Sequence, residues 1–274
     1  MIELKSGTSS CRIDPDLGGS LLSFAVAGQP VLRAALPDTT DILETACFPL
    51  IPFANRIDRG RIRMVERIVT IPADPEGAPH ALHGFGWRHR WSVAHRGTDD
   101  AILHLDSPDW WPWRCSATQH IRLAGDQLDL SIRVRNMGEE AMPIGLGFHP
   151  YFERAPDSHI AIDATSYVST GADQLPDGER PFSGFDDGLT AFEGFDNFIP
   201  TDTQSCTVRT RGRTIEIRAI DPVAGFHVYV PESKDFFCVE PVTHRPNDFG
   251  LGDMRGALLD PGADRSLSVI LKPV

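Results

Sequence analysis

The sequence offers little from which to build a membrane span, a disulfide framework or a nucleic-acid surface. No run of about eighteen apolar residues occurs among its 274 positions, so no helix of it is expected to cross a bilayer. The opening residues Met1-Ile2-Glu3-Leu4-Lys5-Ser6 lack the apolar core of a signal peptide. Cysteine is scarce and odd in number. Cys11, Cys47, Cys115, Cys206 and Cys238 contain no C-x-x-C pair, which argues against a disulfide scaffold or a thiolate zinc site and for buried, reduced thiols in a cytoplasmic protein. Basic residues are outnumbered, 26 Lys and Arg against 38 Asp and Glu, for a net charge of −12. No basic run is interleaved with aromatics, so neither nucleic acid nor an anionic membrane is an expected partner. No window of ten or more residues carries a helical apolar stripe, and no internal repeat, low-complexity tract or linker divides the chain.

What the chain does have is alternation and turns. Gln127-Leu128-Asp129-Leu130-Ser131-Ile132-Arg133-Val134-Arg135 sets four aliphatic side chains on one face. Thr207-Val208-Arg209, Thr214-Ile215-Glu216-Ile217-Arg218, Phe226-His227-Val228-Tyr229-Val230 and Leu267-Ser268-Val269-Ile270-Leu271 follow the same period. Gly18-Gly19, Ala27-Gly28, Asn136-Met137-Gly138 and Pro261-Gly262 punctuate the strands, in keeping with 24 glycines and 22 prolines. At 41% hydrophobic and 23% charged residues the composition is that of a globular protein with a sizeable core. These features predict an all-β fold, a large antiparallel β-sandwich, in one domain spanning residues 1–274. The stretch from Ser169 to Pro200, rich in Gly and Pro, is expected to be a long connection with little regular structure.

Five patches carry residues that could do chemistry. Asn55-Arg56-Ile57 follows an apolar, proline-punctuated run, and the Arg fork suits clamping oxygens; a surface Arg at a strand start is the plain alternative. His80 and His83 are three apart in Pro79-His80-Ala81-Leu82-His83-Gly84-Phe85-Gly86-Trp87. On a strand such residues face opposite ways, and no acidic third ligand is near, so no metal is expected there. A hydrogen-bonding His with Trp87 as a stacking face suits a polar ring ligand. Gly145-Leu146-Gly147-Phe148-His149-Pro150-Tyr151-Phe152 is not a dinucleotide fingerprint, lacking the third glycine and the following helix. It leaves His149 at a strand end in apolar surroundings, able to serve as a general acid or base. Asp196 and Asn197 sit between aromatics in Gly194-Phe195-Asp196-Asn197-Phe198, where a loop-closing Asx turn is the plain reading. Glu240 follows Phe236-Phe237-Cys238-Val239 and precedes Pro241; a carboxylate in so apolar a strand must be paired or functional. The cluster Trp110-Trp111-Pro112-Trp113 is expected to pack in the core or at its rim.

As an ordered set, Asn55-Arg56-Ile57, Leu82-His83-Gly84, Gly147-Phe148-His149-Pro150-Tyr151-Phe152, Phe195-Asp196-Asn197 and Val239-Glu240-Pro241 resemble the aldose 1-epimerase (galactose mutarotase) family. The resemblance implies a large β-sandwich, or supersandwich, of the galactose mutarotase type. It implies an isomerase that interconverts the anomers of a free monosaccharide with no cofactor and no metal. By that likeness Glu240 is the general base and His149 the general acid. Arg56, His83, Asp196, Asn55 and Trp87 are expected on the sugar side. The segment Gly84-Phe85-Gly86-Trp87-Arg88 and the short chain point to a compact bacterial-type member. Three other readings remain open: a non-catalytic sugar-binding or sugar-sensing module, a metal-dependent β-sandwich isomerase using His80, His83 and a carboxylate, and an accessory domain of a polysaccharide lyase or hydrolase. The five distant groups Arg56, His83, His149, Asp196 and Glu240 are expected to meet in one cleft that takes a neutral sugar.

Overall fold

The computed structural model describes residues 1–185, 188–254 and 257–274. Two antiparallel sheets of eleven and eight strands pack face to face. The larger runs in the spatial order Ile2–Ser6, Ser9–Asp14, Ser20–Val26, Cys47–Leu50, Gly147–Glu153, Phe236–Val242, Gly225–Val230, Phe195–Pro200, Ser166–Thr170 and Pro176–Pro181, with Gln29–Pro30 appended to the third. The smaller runs Ser92–Arg96, Asp100–Asp106, Cys115–Ala124, Gln127–Asn136, Asp264–Pro273, Arg213–Ala219, Ser205–Thr210 and His159–Ala161. Among the described residues, regular α-helix is confined to Asp248–Leu251. None of it is long and apolar enough to cross a membrane.

The smaller sheet is built as its alternation requires. Leu128, Leu130, Ile132 and Val134 are buried while the residues between them stay partly or fully exposed. With Ile121, Leu123, Leu267, Val269 and Leu271 they form its half of the core between the sheets. Phe148, Phe152, Phe237, Val239, Phe226 and Val228 supply the half from the larger sheet. At ~25 cal/mol per Å² of apolar area, this layer is the main source of folding free energy.

The centre of the larger sheet is covered on both faces. Every residue of Phe236–Val242 is buried, as is nearly all of Gly147–Glu153. Their second face packs on a separate cluster that includes Phe48, Leu82, Trp87, Phe198 and Ile42. Double burial explains why these strands read as apolar runs and not as alternation. All five cysteines are free and buried. Trp111 and Trp113 are buried in the core cluster, and Trp110 is partly exposed against Phe85 and His89.

One expectation needs correction. The stretch from Ser169 to Pro200 is not a structureless connection. It holds the strand Pro176–Pro181, a 3-10 turn at Leu189–Phe192 and the strand Phe195–Pro200, which sits well inside the larger sheet. The aromatic residues Tyr167, Phe182, Phe185, Phe192 and Phe195 pack there mostly edge to face, with Tyr167 tilted against Phe195, and tie the segment down. Asp186 and Asp187 of this stretch lie outside the described residues.

Candidate functional site

Sheet register assembles the site. His149 stands opposite Phe48 on one side. On the other, between the pairs Gly147–Val242 and Tyr151–Cys238, it falls opposite Glu240. Glu240 pairs with His227, and His227 with Phe198. One row across five strands therefore reads Phe48, His149, Glu240, His227, Phe198. The next row on the same face carries Tyr151, Cys238, Tyr229 and Asp196. Asp196 is thus a strand residue facing the site and not part of a loop-closing turn. Asn197 points the other way and accepts from the Thr170 N–H.

Arg56 and His83 arrive from beyond the sheet. The short strands Arg56–Ile57 and Ala81–Leu82 pair with each other. Asn55 and His83 both adopt left-handed backbone, with φ of 57° and 55°. They clasp each other: Asn55 N–H donates to His83 Nδ1 at 3.0 Å, and His83 N–H donates to the Asn55 carbonyl at 3.0 Å. The first of these bonds fixes the imidazole tautomer, leaving Nε2–H as a donor. Gly84, also left-handed, brings this segment against Ile51, whose carbonyl oxygen lies 2.0 Å from where a Cβ would stand. Gly145 is required by packing too, since a Cβ there would fall 2.0 Å from the ring of the buried His244.

Arg56, His83, His149, Asp196 and Glu240 all line one cavity of about 610 Å³, with Asn55, Tyr151, His227 and Tyr229. Asn55 is itself buried, and its amide Oδ1 accepts from the Arg56 N–H. Trp87 is the exception. It is 1% exposed, stacked on Phe48 with the Arg88 guanidinium near its ring, and it does not line the cavity. It backs an aromatic column in which Phe48 and Tyr151 hold the His149 ring between them, at 4.5 and 4.8 Å. His80 lies apart from His83. Its Nδ1 accepts from the Arg59 N–H and its Nε2 meets the Asp173 carbonyl, so both nitrogens are occupied.

The central pair is His149 and Glu240, with Nε2 3.2 Å from Oε1. Both are buried, 6% and 2% exposed, and both keep an unpartnered atom, His149 Nδ1 and Glu240 Oε2. Burial pushes His149 down to about 3, with the charge of His227 adding. Burial pushes Glu240 well above the ordinary carboxylate range, and Asp196 adds to it. His83 is held well below its usual value by burial and then by His149 and Arg56. Burial would raise Asp196 too, but the hydrogen bond from His227 and the charges of His227 and Arg56 together bring it down. The resting pair therefore holds a neutral imidazole beside a protonated carboxyl, which is the same proton count as an imidazolium beside a carboxylate. A buried wall of an open cavity, with a movable proton and several fixed donors, can do proton transfer on a neutral polyol.

Sequence reasoning missed His227 and the tyrosine walls. The usable signal was in the strand Phe226-His227-Val228-Tyr229-Val230. Its aliphatic and Phe side chains form one face and its polar aromatics the other, and a solvent-facing strand has no need of two such rings.

A family model for aldose 1-epimerases matches residues 1–273. An uncharacterized protein of Escherichia coli K12, YphB, is 27% identical over 263 residues, 87% of each chain. Solved structures share the fold: a candidate aldose 1-epimerase of Escherichia coli K12 has a TM-score of 0.90 at 23% identity over 100% of this chain and 98% of that one. A galactose mutarotase-like protein of Clostridium acetobutylicum scores 0.86 at 16% over 99% and 94%. A galactose 1-epimerase of Lactobacillus acidophilus NCFM scores 0.80 at 15% over 99% and 93%. With the galactose mutarotase-like fold in place and the family model matched from residue 1 to residue 273, this chain belongs to the aldose 1-epimerase family.

Proposed function

We infer that the protein is a mutarotase, interconverting the α and β anomers of a free, neutral aldose by acid and base catalysis, with residues 1–274 working as one domain. The observation that carries this reading is the buried His149–Glu240 pair on the wall of a cavity that also presents Arg56 and His83. Binding alone needs no such pair, and burying it without use is costly.

The chemistry follows from the proton count. The anomeric O–H gives its proton to Glu240 while His149, carrying the shared proton, gives one to the ring oxygen. The bond from the anomeric carbon to the ring oxygen breaks and the aldehyde carbonyl forms. Rotation about the adjacent carbon–carbon bond presents the other carbonyl face. Closure then returns both protons by the reverse path. At rest burial keeps the proton on Glu240 and off His149, so ring opening starts from the minor tautomer with that proton moved to His149, and the two transfers then return the pair to its resting form. Arg56 and the Nε2–H of His83 supply donors for sugar oxygens, and Asp196 supplies an acceptor. Asp41, Glu44, Glu76 and Glu232 at the cavity face Lys234 as the sole rim cation besides Arg56 among its lining residues. This acidic mouth suits an uncharged sugar better than a phosphorylated one.

The test is anomer exchange, followed by NMR or polarimetry across a panel of aldoses and their phosphates. Catalysed exchange of a neutral sugar supports the reading. Sugar binding without exchange would return a non-catalytic sugar-binding module to first place.

A further inference from the structure

One buried group in the cavity has no part in the ring-opening scheme. His227 is 4% exposed, neighbours Glu240 across the sheet and brings Nε2 to 2.6 Å from Asp196 Oδ1. Asp196, as an acceptor, decides which ring nitrogen donates, so Nε2 carries the hydrogen. The Arg56 N–H holds Asn55 Oδ1 at 2.8 Å. That contact turns Nδ2 toward the imidazole, 3.4 Å from Nδ1 and 3.3 Å from Nε2. Nδ2 is nearly equidistant from the two nitrogens, and with Nε2–H committed to Asp196 it is Nδ1 that can accept from it. The other Asp196 oxygen, Oδ2, stands 3.9 Å from Arg56 Nη1. The contacts thus close on themselves: Arg56 backbone, Asn55, His227, Asp196, Arg56 guanidinium.

We propose that His227 is a positioning residue that holds Asp196 as an ionised acceptor, Oδ1 tied to the protein and Oδ2 left for a sugar hydroxyl, so that the proton of the site resides on Glu240. This rests on reading Asp196 as a sugar-binding carboxylate. Two carboxylates in one enclosed site do not both ionise cheaply, and their surroundings decide which one holds the proton. Asp196 has a committed N–H and a guanidinium, whereas Glu240 has His149 and an orphaned Oε2. The other groups on the walls do not offset this. Tyr151, Tyr229 and Cys238 are pushed up and stay neutral, chiefly by burial. Burial likewise keeps His83 and His149 uncharged. Glu44, Glu76, Glu232, Asp41 and Lys234 complete the charged lining. Arg56 and His227 are left to stabilise the Asp196 charge.

His227→Leu removes the donor, and His227→Gln keeps an N–H that can reach Asp196. The Asp196 carboxyl is followed by carbon NMR against pH in sugar-free protein, and kcat and KM are measured by anomer exchange. In His227→Leu the carboxyl should titrate above its wild-type position. KM should rise about 10-fold, more steeply at acid pH, with kcat moving by less than about 3-fold. His227→Gln should restore both the titration and KM. Should the Leu variant not fold, His227→Asn, too short to reach Asp196, takes its place. An unchanged Asp196 titration in the donorless variant, or a Gln variant that behaves like it, overturns the proposal. The carboxyl titration decides the matter even if wild-type protein exchanges no anomers, an outcome that would sink the functional reading separately.

Discussion

The smaller sheet and the centre of the larger sheet share one backbone geometry and differ in what covers their second face. Gln127–Asn136 buries one side chain in two, and its other face carries Asp129, Arg133 and Arg135 outward. Phe236–Val242 buries every side chain, because its second face lies under the cavity wall and the cluster around Phe48 and Trp87. A strand with a wet face can carry charge anywhere on that face at little cost. A strand with two dry faces carries charge only where a partner or a function accounts for it. That difference makes Glu240 informative and Arg133 not.

Breaking the functional face should give the largest effect. Glu240→Gln keeps the shape and its hydrogen bonding but cannot accept a proton. We expect anomer exchange to fall by ~10³-fold, mainly in kcat, with sugar affinity and melting temperature held or raised. His149→Asn should lose activity on a similar scale. Exchange within a few-fold of wild type in Glu240→Gln would remove the proposed mechanism.

Truncation separates the two regions next. Ile132→Ala, in the core between the sheets, should cost ~2–5 kcal/mol of stability in denaturant melts while leaving kcat per folded molecule unchanged. Phe198→Ala, at the end of the His149–Glu240–His227 row, should cost a similar amount and also impair exchange. If both variants lose stability alone, the row is packing and nothing more.

Arg56→Ala is expected to weaken sugar binding by about 10-fold, since a clamp acts on ground state and transition state alike. Isothermal titration in the Glu240→Gln background reads this without turnover. Binding unaffected by the loss of Arg56 would place the sugar elsewhere.

The smallest effect is the pH dependence of stability. His83, His149 and His244 are all held below their usual value, mainly by burial. Unfolding therefore takes up protons below about pH 6.5, and their contribution is present above that pH and lost as pH falls toward the folded values, about 3 for His149 and about 4 for His244. Glu240, held high by burial, works the other way, its folded form gaining stability as pH falls. Three histidines act against one carboxyl, so wild-type stability should fall as pH drops from 7 to 6, and Glu240→Gln, which removes the opposing group, should fall more steeply. A flatter acid limb in that variant would contradict the burial-driven shift of Glu240.

Alternation was enough to locate Gln127–Asn136, Arg213–Ala219 and Asp264–Pro273, because each has one dry and one wet face and a period of two records it. The Glu in an apolar run and the His before Pro150 marked two members of the site for the opposite reason, being charges or titratable groups where solvation is lost. The strand Phe195–Pro200 was hidden, since Gly- and Pro-rich flanks masked six residues whose strand form depends on pairing with Gly225–Val230. Trp87 looked like a sugar platform because an indole beside Gly-x-Gly has the right chemistry, and only packing on Phe48 places it behind the wall. Composition and periodicity by themselves determined an antiparallel β protein and which face each alternating residue takes. The tertiary structure alone decided that strands starting at residues 47, 147, 236, 225 and 195 lie side by side in that order. A side chain's face is a local property of the pleat, but its cross-strand neighbour is set by long-range pairing, and the His149–Glu240–His227 row exists only in that pairing.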